Sequence, residues 1–118
     1  MGVNDISTTG RSAPQLLEDL QTIVSILKDS RIDMSVILCT VPPYSLTDAQ
    51  ELVWRDVNQA IRSHVIAGVD RIFDIAEVLS QAAPRDNLIM PEYMSSEFDA
   101  HPNGRAGSAV ASAFLAWY

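Results

Sequence analysis

The sequence predicts an α/β fold built on a parallel sheet. Segments with a helical apolar period alternate with short apolar runs in the order loop–α–β–α–β–loop–α, a pattern that implies α/β units. One of those runs, Met34-Ser-Val-Ile-Leu-Cys39, is almost continuously apolar, as expected of a strand covered on both faces. The composition agrees: 118 residues, 47% hydrophobic and 19% charged, make one globular domain at most.

Gly2-Val3-Asn4-Asp5 opens the chain and reads as a loop after a buried strand, with Gly2 allowing a tight turn. From Ser12 to Asp29, Leu16, Leu20, Ile23, Val24 and Leu27 fall on one helical stripe. Ser12 and Gln15 make a capping box, and Pro14 is tolerated in the first turn. The run from Met34 to Cys39 is the first strand, ended by Pro42-Pro43. Thr47 and Gln50 form a second capping box, after which Val53, Val57, Ala60, Ile61 and His64 share a helical face and Gly68 closes the segment. Val69 to Ile75 is a second strand, interrupted by Asp70, Arg71 and Asp74. A loop with Pro84 and Pro91 follows. Asn103 caps a last helix whose buried stripe is Ala106, Val110, Ala113, Phe114 and Trp117, with Gly107 letting it approach a neighbour closely. Two or three strands are a small sheet for three amphipathic helices, so apolar helix faces should remain uncovered. The pattern predicts that the N-terminal part of the domain lies outside this chain.

A net charge of −7 argues against a nucleic-acid backbone as partner. Cys39 is the single cysteine, so no internal disulfide forms. No apolar run approaches the ~20 residues of a membrane span, and the first residues lack the layout of a secretory signal.

The chemistry-bearing segment is Asp99-Ala100-His101-Pro102-Asn103. Imidazole titrates near neutral pH, so His101 can serve as a general base. In extended backbone, residues two apart share a side, so Asp99 can reach a ring nitrogen of His101. The plain alternative is a surface His beside a helix start with Asp99 as a solvated charge. Asn4 carries an amide able to donate to a developing oxyanion; its plain alternative is an Asn-Asp turn.

Gly2-Val3-Asn4-Asp5 and Asp99-Ala100-His101-Pro102, in that order, resemble the last two sequence blocks of the SGNH (GDSL-type) hydrolases. Arg55-Asp-Val-Asn-Gln-Ala-Ile-Arg62 is similar to a helix of many bacterial members, as are Met90-Pro-Glu-Tyr93 and Asn103-Gly-Arg-Ala-Gly107 around the His block. The resemblance covers nearly the whole chain. It implies a flavodoxin-like three-layer α/β/α fold, of which residues 1–118 are the C-terminal part of a single domain. It also implies serine ester hydrolysis: His101 as base, Asp99 orienting it, and Asn4 in the oxyanion hole. The Gly-Asp-Ser block with the nucleophile is absent and would come from a missing N-terminal segment or a companion chain. Many members place Asp three residues before His, where this chain has Phe98; Glu97 is the fallback acid. The implied substrate is a small-molecule or carbohydrate ester, acetyl or other short acyl, with no cofactor, and the implied location is secreted or extracellular.

Other nucleophiles and sites fit less well. No Ser lies in a Gly-x-Ser-x-Gly or Gly-Asp-Ser setting. Cys39 ends a buried strand and reads as a small hydrophobe. His64 reads as a helix-end or core residue, and with His101 it has no metal-ligand spacing. Trp54, Trp117 and Tyr118 read as packing residues. Gly104 to Ser108 follows no strand and lacks the Lys of a phosphate loop. The rival to an esterase is a degenerate, non-catalytic α/β interaction module.

Overall fold

The computed structural model describes residues 2–31, 33–96 and 99–118, with backbone alone at Asp99 and Ala100. Its core is a parallel pair of strands, β1 (Ile37–Cys39) and β2 (Arg71–Phe73), in the register Ile37↔Arg71, Leu38↔Ile72 and Cys39↔Phe73. Helix α1 (Val3–Ser7) opens the chain, α2 (Ala13–Ser30) precedes β1, and α3 (Asp48–Arg62) joins β1 to β2. Helix α4 (Ile75–Leu79) follows β2 directly. A 3₁₀ turn at Pro91–Tyr93 then leads into an antiparallel hairpin of β3 (Met94–Ser96) and β4 (Asp99–Pro102), and α5 (Gly104–Trp117) ends the chain.

The predicted caps form. Ser12 Oγ accepts from the Gln15 amide while Gln15 Oε1 accepts from the Ser12 amide. Thr47 and Gln50 repeat the exchange. Asn103 Oδ1 accepts from the amides of Arg105 and Ala106. Helix α3 ends earlier than Gly68: the amides of His64 and Val65 bond back to the carbonyls of Ile61 and Ala60, and His64 takes φ 57°. That arrangement is a Schellman end. His64 is therefore an exposed helix-end residue.

Both strands are shorter than the sequence suggests, for the same reason. Asp70 Oδ2 accepts from the Val36 amide at 2.7 Å, and the Asp70 amide bonds the Val36 carbonyl at 2.9 Å. A side chain replaces a rung of the ladder and stops the pairing there. At the other end, Asp74 caps α4 by accepting from the Glu77 amide at 3.1 Å.

Alternate residues of β2 meet different helices, as the pleat requires. Ile72 packs on the main core, formed by Ile6, Ala13, Leu16, Val41, Trp54, Val57, Ile61 and Ala76 from the first four helices and the loop after β1. Phe73 instead meets Phe114 and Trp117 of α5 with ring centroids 5.2 and 5.3 Å away. Arg71 lays its guanidinium 3.7 Å from the Trp117 ring and donates to the Trp117 and Tyr118 carbonyls. Helices thus cover both faces of the small sheet. Gly107 makes no close approach: a Cβ there would meet nothing within 4 Å. Helix α2 leaves Ile23, Ile26 and Leu27 exposed. An apolar hollow of about 200 Å³ runs beside β1, lined by Leu16, Leu20, Leu38, Cys39 and Ile61 among others.

Candidate active site

Three segments of the chain meet at one cleft of about 450 Å³. Val3, Asn4 and Asp5 come from α1, Pro42, Pro43 and Tyr44 from the loop after β1, and His101 and Pro102 from β4. The loop leaves the carboxyl end of a parallel strand, where open α/β sheets place their sites.

Asn4 does not stand in a loop at a strand end, as its sequence setting suggests. It lies in the first turn of α1, whose start is closed by the Gly2 amide donating to Asp5 Oδ2 at 2.7 Å. Five residues are too few to show a helical period, so the turn has no sequence signature beyond that Asp. Gly2 is required there for two reasons. Its φ is 119°, and a Cβ would stand 2.7 Å from Val41 Cγ2. The Asn4 side chain is exposed on the cleft wall, and its amide has no hydrogen-bond partner among the described residues.

His101 lies on β4, exposed at the cleft. Its backbone is tied on both sides. Ser95 Oγ donates to the His101 carbonyl at 3.1 Å, and the Asn103 amide donates to the Tyr93 carbonyl at 2.8 Å. The side-chain amide of Asn103 donates to the carbonyls of Glu92 and Met94, so the residue that caps α5 also anchors the end of the hairpin. Asp99 is on the same strand, paired with Ser96, two residues before His101 in extended backbone. Its side chain, like Glu97 and Phe98 altogether, lies outside the described residues.

The loop after β1 is held from α3. Asn58 is fully buried (0% exposed) and grips Val41 twice: its Oδ1 accepts from the Val41 amide at 2.7 Å, and its Nδ2 donates to the Val41 carbonyl at 2.9 Å. Trp54 Nε1 adds donations to the carbonyls of Val41 and Pro42 at 2.9 and 3.1 Å. The motif Arg55-x-x-Asn58-x-x-Ile61-Arg62 is thereby explained locally. Asn58 and Ile61 face the core, while Arg55 pairs with Glu51 and Asp86 and Arg62 with Asp74. Sequence reasoning missed Tyr44 and this clamp. The available signal was a Pro-Pro-Tyr run directly after a strand's carboxyl end, which reads only as a strand terminator.

The remaining candidates are set apart from the cleft. Burial pushes the Cys39 thiol above its ordinary value, which disfavours the thiolate a nucleophile needs. Trp54 is buried in the core, and Trp117 packs against Phe73 and Phe114. Tyr118 is exposed yet stacked on Phe114. Among the described residues no three His, Cys, Asp or Glu side chains group to hold a metal ion, and no helix is long and apolar enough to cross a membrane.

Over 97% of its length the chain is similar to a crystal structure of a carbohydrate esterase family 3 protein from Talaromyces cellulolyticus, with a TM-score of 0.68 and 21% identity. The chain shares that protein's fold. It spans 52% of that chain, about half its length. No family model matches the sequence, and no curated protein matches it. At this identity the likeness establishes a common α/β architecture, and the chemistry rests on the cleft.

Proposed function

We propose that this chain contributes the base and one oxyanion donor of a serine ester hydrolase of the SGNH type, acting on acetyl or other short acyl esters of carbohydrates. One observation carries the reading: Asn4 and His101, from opposite ends of the sequence, line one cleft. The fold shared with a carbohydrate esterase supports the substrate class by analogy. In this reading a Ser supplied from outside the chain attacks the ester carbonyl. His101 takes the Ser proton and returns it to the leaving alcohol, Asp99 fixes the His101 tautomer, and the Asn4 amide donates to the oxyanion. The three-layer flavodoxin-like sheet belongs to the same proposal. The companion segment carrying the Gly-Asp-Ser block would extend the sheet beside β1 and fill the apolar hollow there.

The test is hydrolysis of p-nitrophenyl acetate and of an acetylated xylan. The 118-residue chain alone should stay at background. Joined to or mixed with a segment carrying the Gly-Asp-Ser block, it should turn over, and His101→Ala should abolish that turnover. Turnover by the chain alone that His101→Ala removes would put a nucleophile within the chain. If the joined protein is inert yet folded, the chain is the non-catalytic module.

A further inference from the structure

Tyr44 forms the aromatic wall of the cleft. Its ring centroid lies 6.2 Å from that of His101, with the planes at 85°, an edge-to-face pair within the range of favourable aromatic contacts. The two rings arrive from separate, independently fixed backbones. The Tyr44 loop is stiffened by Pro42 and Pro43 and held at Val41 and Pro42 by Asn58 and Trp54. The His101 strand is held by Ser95 and Asn103. A rigid ring across the cleft limits which rotamers the His101 imidazole can take. The Tyr44 hydroxyl has no hydrogen-bond partner among the described residues, so the ring, and not the hydroxyl, makes the contact.

We infer that Tyr44 is a positioning residue that helps orient the His101 imidazole across the cleft, from the side opposite its own strand's backbone ties. Its consequence for turnover rests on the esterase reading above; the orientation itself does not. Holding a base in near-attack geometry matters steeply, since a misplacement of about 1 Å can cost ~10²-fold in rate.

The decisive experiment is side-chain NMR of the full chain, with exposed His64 as the internal reference. Cross-relaxation between Tyr44 and His101 ring protons is expected in the unaltered protein, and its absence overturns the proposal whatever the variants do. Tyr44→Leu should move the His101 ring-proton signals by removing the ring current, Tyr44→Phe should leave them in place, and the His64 signals should hold in both. Tyr44→Met serves if the Leu variant does not fold. Unmoved His101 signals in a folded Leu or Met variant refute the inference. In the complete enzyme, Tyr44→Leu should lower kcat by about 10- to 100-fold with little change in KM, and Tyr44→Phe should restore it. If His101→Ala abolishes turnover while Tyr44→Leu leaves kcat unchanged, the positioning role is wrong and the esterase reading stands. If His101→Ala itself leaves kcat unchanged, the esterase reading fails, and the NMR result alone decides whether Tyr44 orients the ring.

Discussion

Replacing Asn58 by Leu should be among the costliest single changes in this chain. Leucine has the same branched four-atom shape, so no cavity forms; its bulkier methyls add crowding at this fully buried position to the loss in hydrogen bonding. The Val41 amide has Asn58 Oδ1 as its partner at 2.7 Å, in a place where Val41 is itself buried. Leucine leaves that donor orphaned, which costs about 1–3 kcal/mol. The Val41 carbonyl loses Asn58 Nδ2 but keeps Trp54 Nε1, so that loss is an ordinary bond of about 0.5–1.5 kcal/mol. Together the change should destabilise by roughly 2–4 kcal/mol, a large share of the 5–15 kcal/mol typical of a domain. Trp54→Phe is the comparison. It removes the indole donor to the Val41 and Pro42 carbonyls and some ring volume from the core, leaving Val41 satisfied by Asn58; the hydrogen-bonding share should be about 1 kcal/mol. Urea unfolding followed at constant m would read both. A loss below about 1 kcal/mol for Asn58→Leu would refute the clamp.

Three further outcomes are expected. If the proposed esterase reading holds, Asn4→Ala in the protein joined to a Gly-Asp-Ser segment should lower kcat by about 10²–10³ with KM little changed, because an oxyanion donor acts on charge that develops in the transition state; equal loss in kcat and gain in KM would assign Asn4 to ground-state binding. Asp99→Asn should cost orders of magnitude in kcat if Asp99 fixes the His101 tautomer, and a near-neutral Asp99→Asn beside a costly Glu97→Gln would move the acid to Glu97. Stability should also depend on Asp74. Burial raises its pKa, but Arg62, Thr40 and the Glu77 amide together outweigh burial and hold the carboxylate below its ordinary value. A depressed folded pKa stabilises above the unfolded value of about 3.9 and loses that contribution as pH falls through the folded value. Urea titrations from neutral pH downward should therefore show a shallower acid-side decline in Asp74→Asn, and an unchanged decline would remove Asp74 from the account.

The three long helices were legible because their signals are local; the five-residue α1 and α4 were read as a loop and as a strand end with the loop after it. Ser12, Thr47 and Asn103 act within a few residues of themselves, and the apolar stripes of α2, α3 and α5 need only the sequence period. The strand ends were not legible. They are set by Asp70 and Asp74, which look like interruptions in a strand and in fact take backbone partners that the ladder would otherwise use. Asn4 and His101 were found as members of two motifs, with no indication that a helix, α1, would carry one of them. The cleft wall between them was invisible for a different reason. Nothing near Tyr44 in sequence indicates that α3 grips the loop from a dozen or more residues away, through side chains that read simply as a helical core face.

Val41 ties these regions together, and this shapes which sequences the fold can accept. Its side chain blocks any Cβ at position 2, and its amide and carbonyl are held by Asn58 and Trp54. Substitutions at positions 2, 41, 54 and 58 should therefore be non-additive, since contacting residues with shared partners couple by about 0.5–3 kcal/mol. A smaller residue at position 41 would ease the steric demand for glycine at position 2, yet alone it would open a void in the main core. The positive φ at Gly2 would remain even then, so space at 41 alone does not free position 2. Glycine at 2 is therefore held twice over, by its backbone angle and by its neighbour, while Asn58 constrains position 41 less, because its grip is on backbone that every residue but proline presents in full.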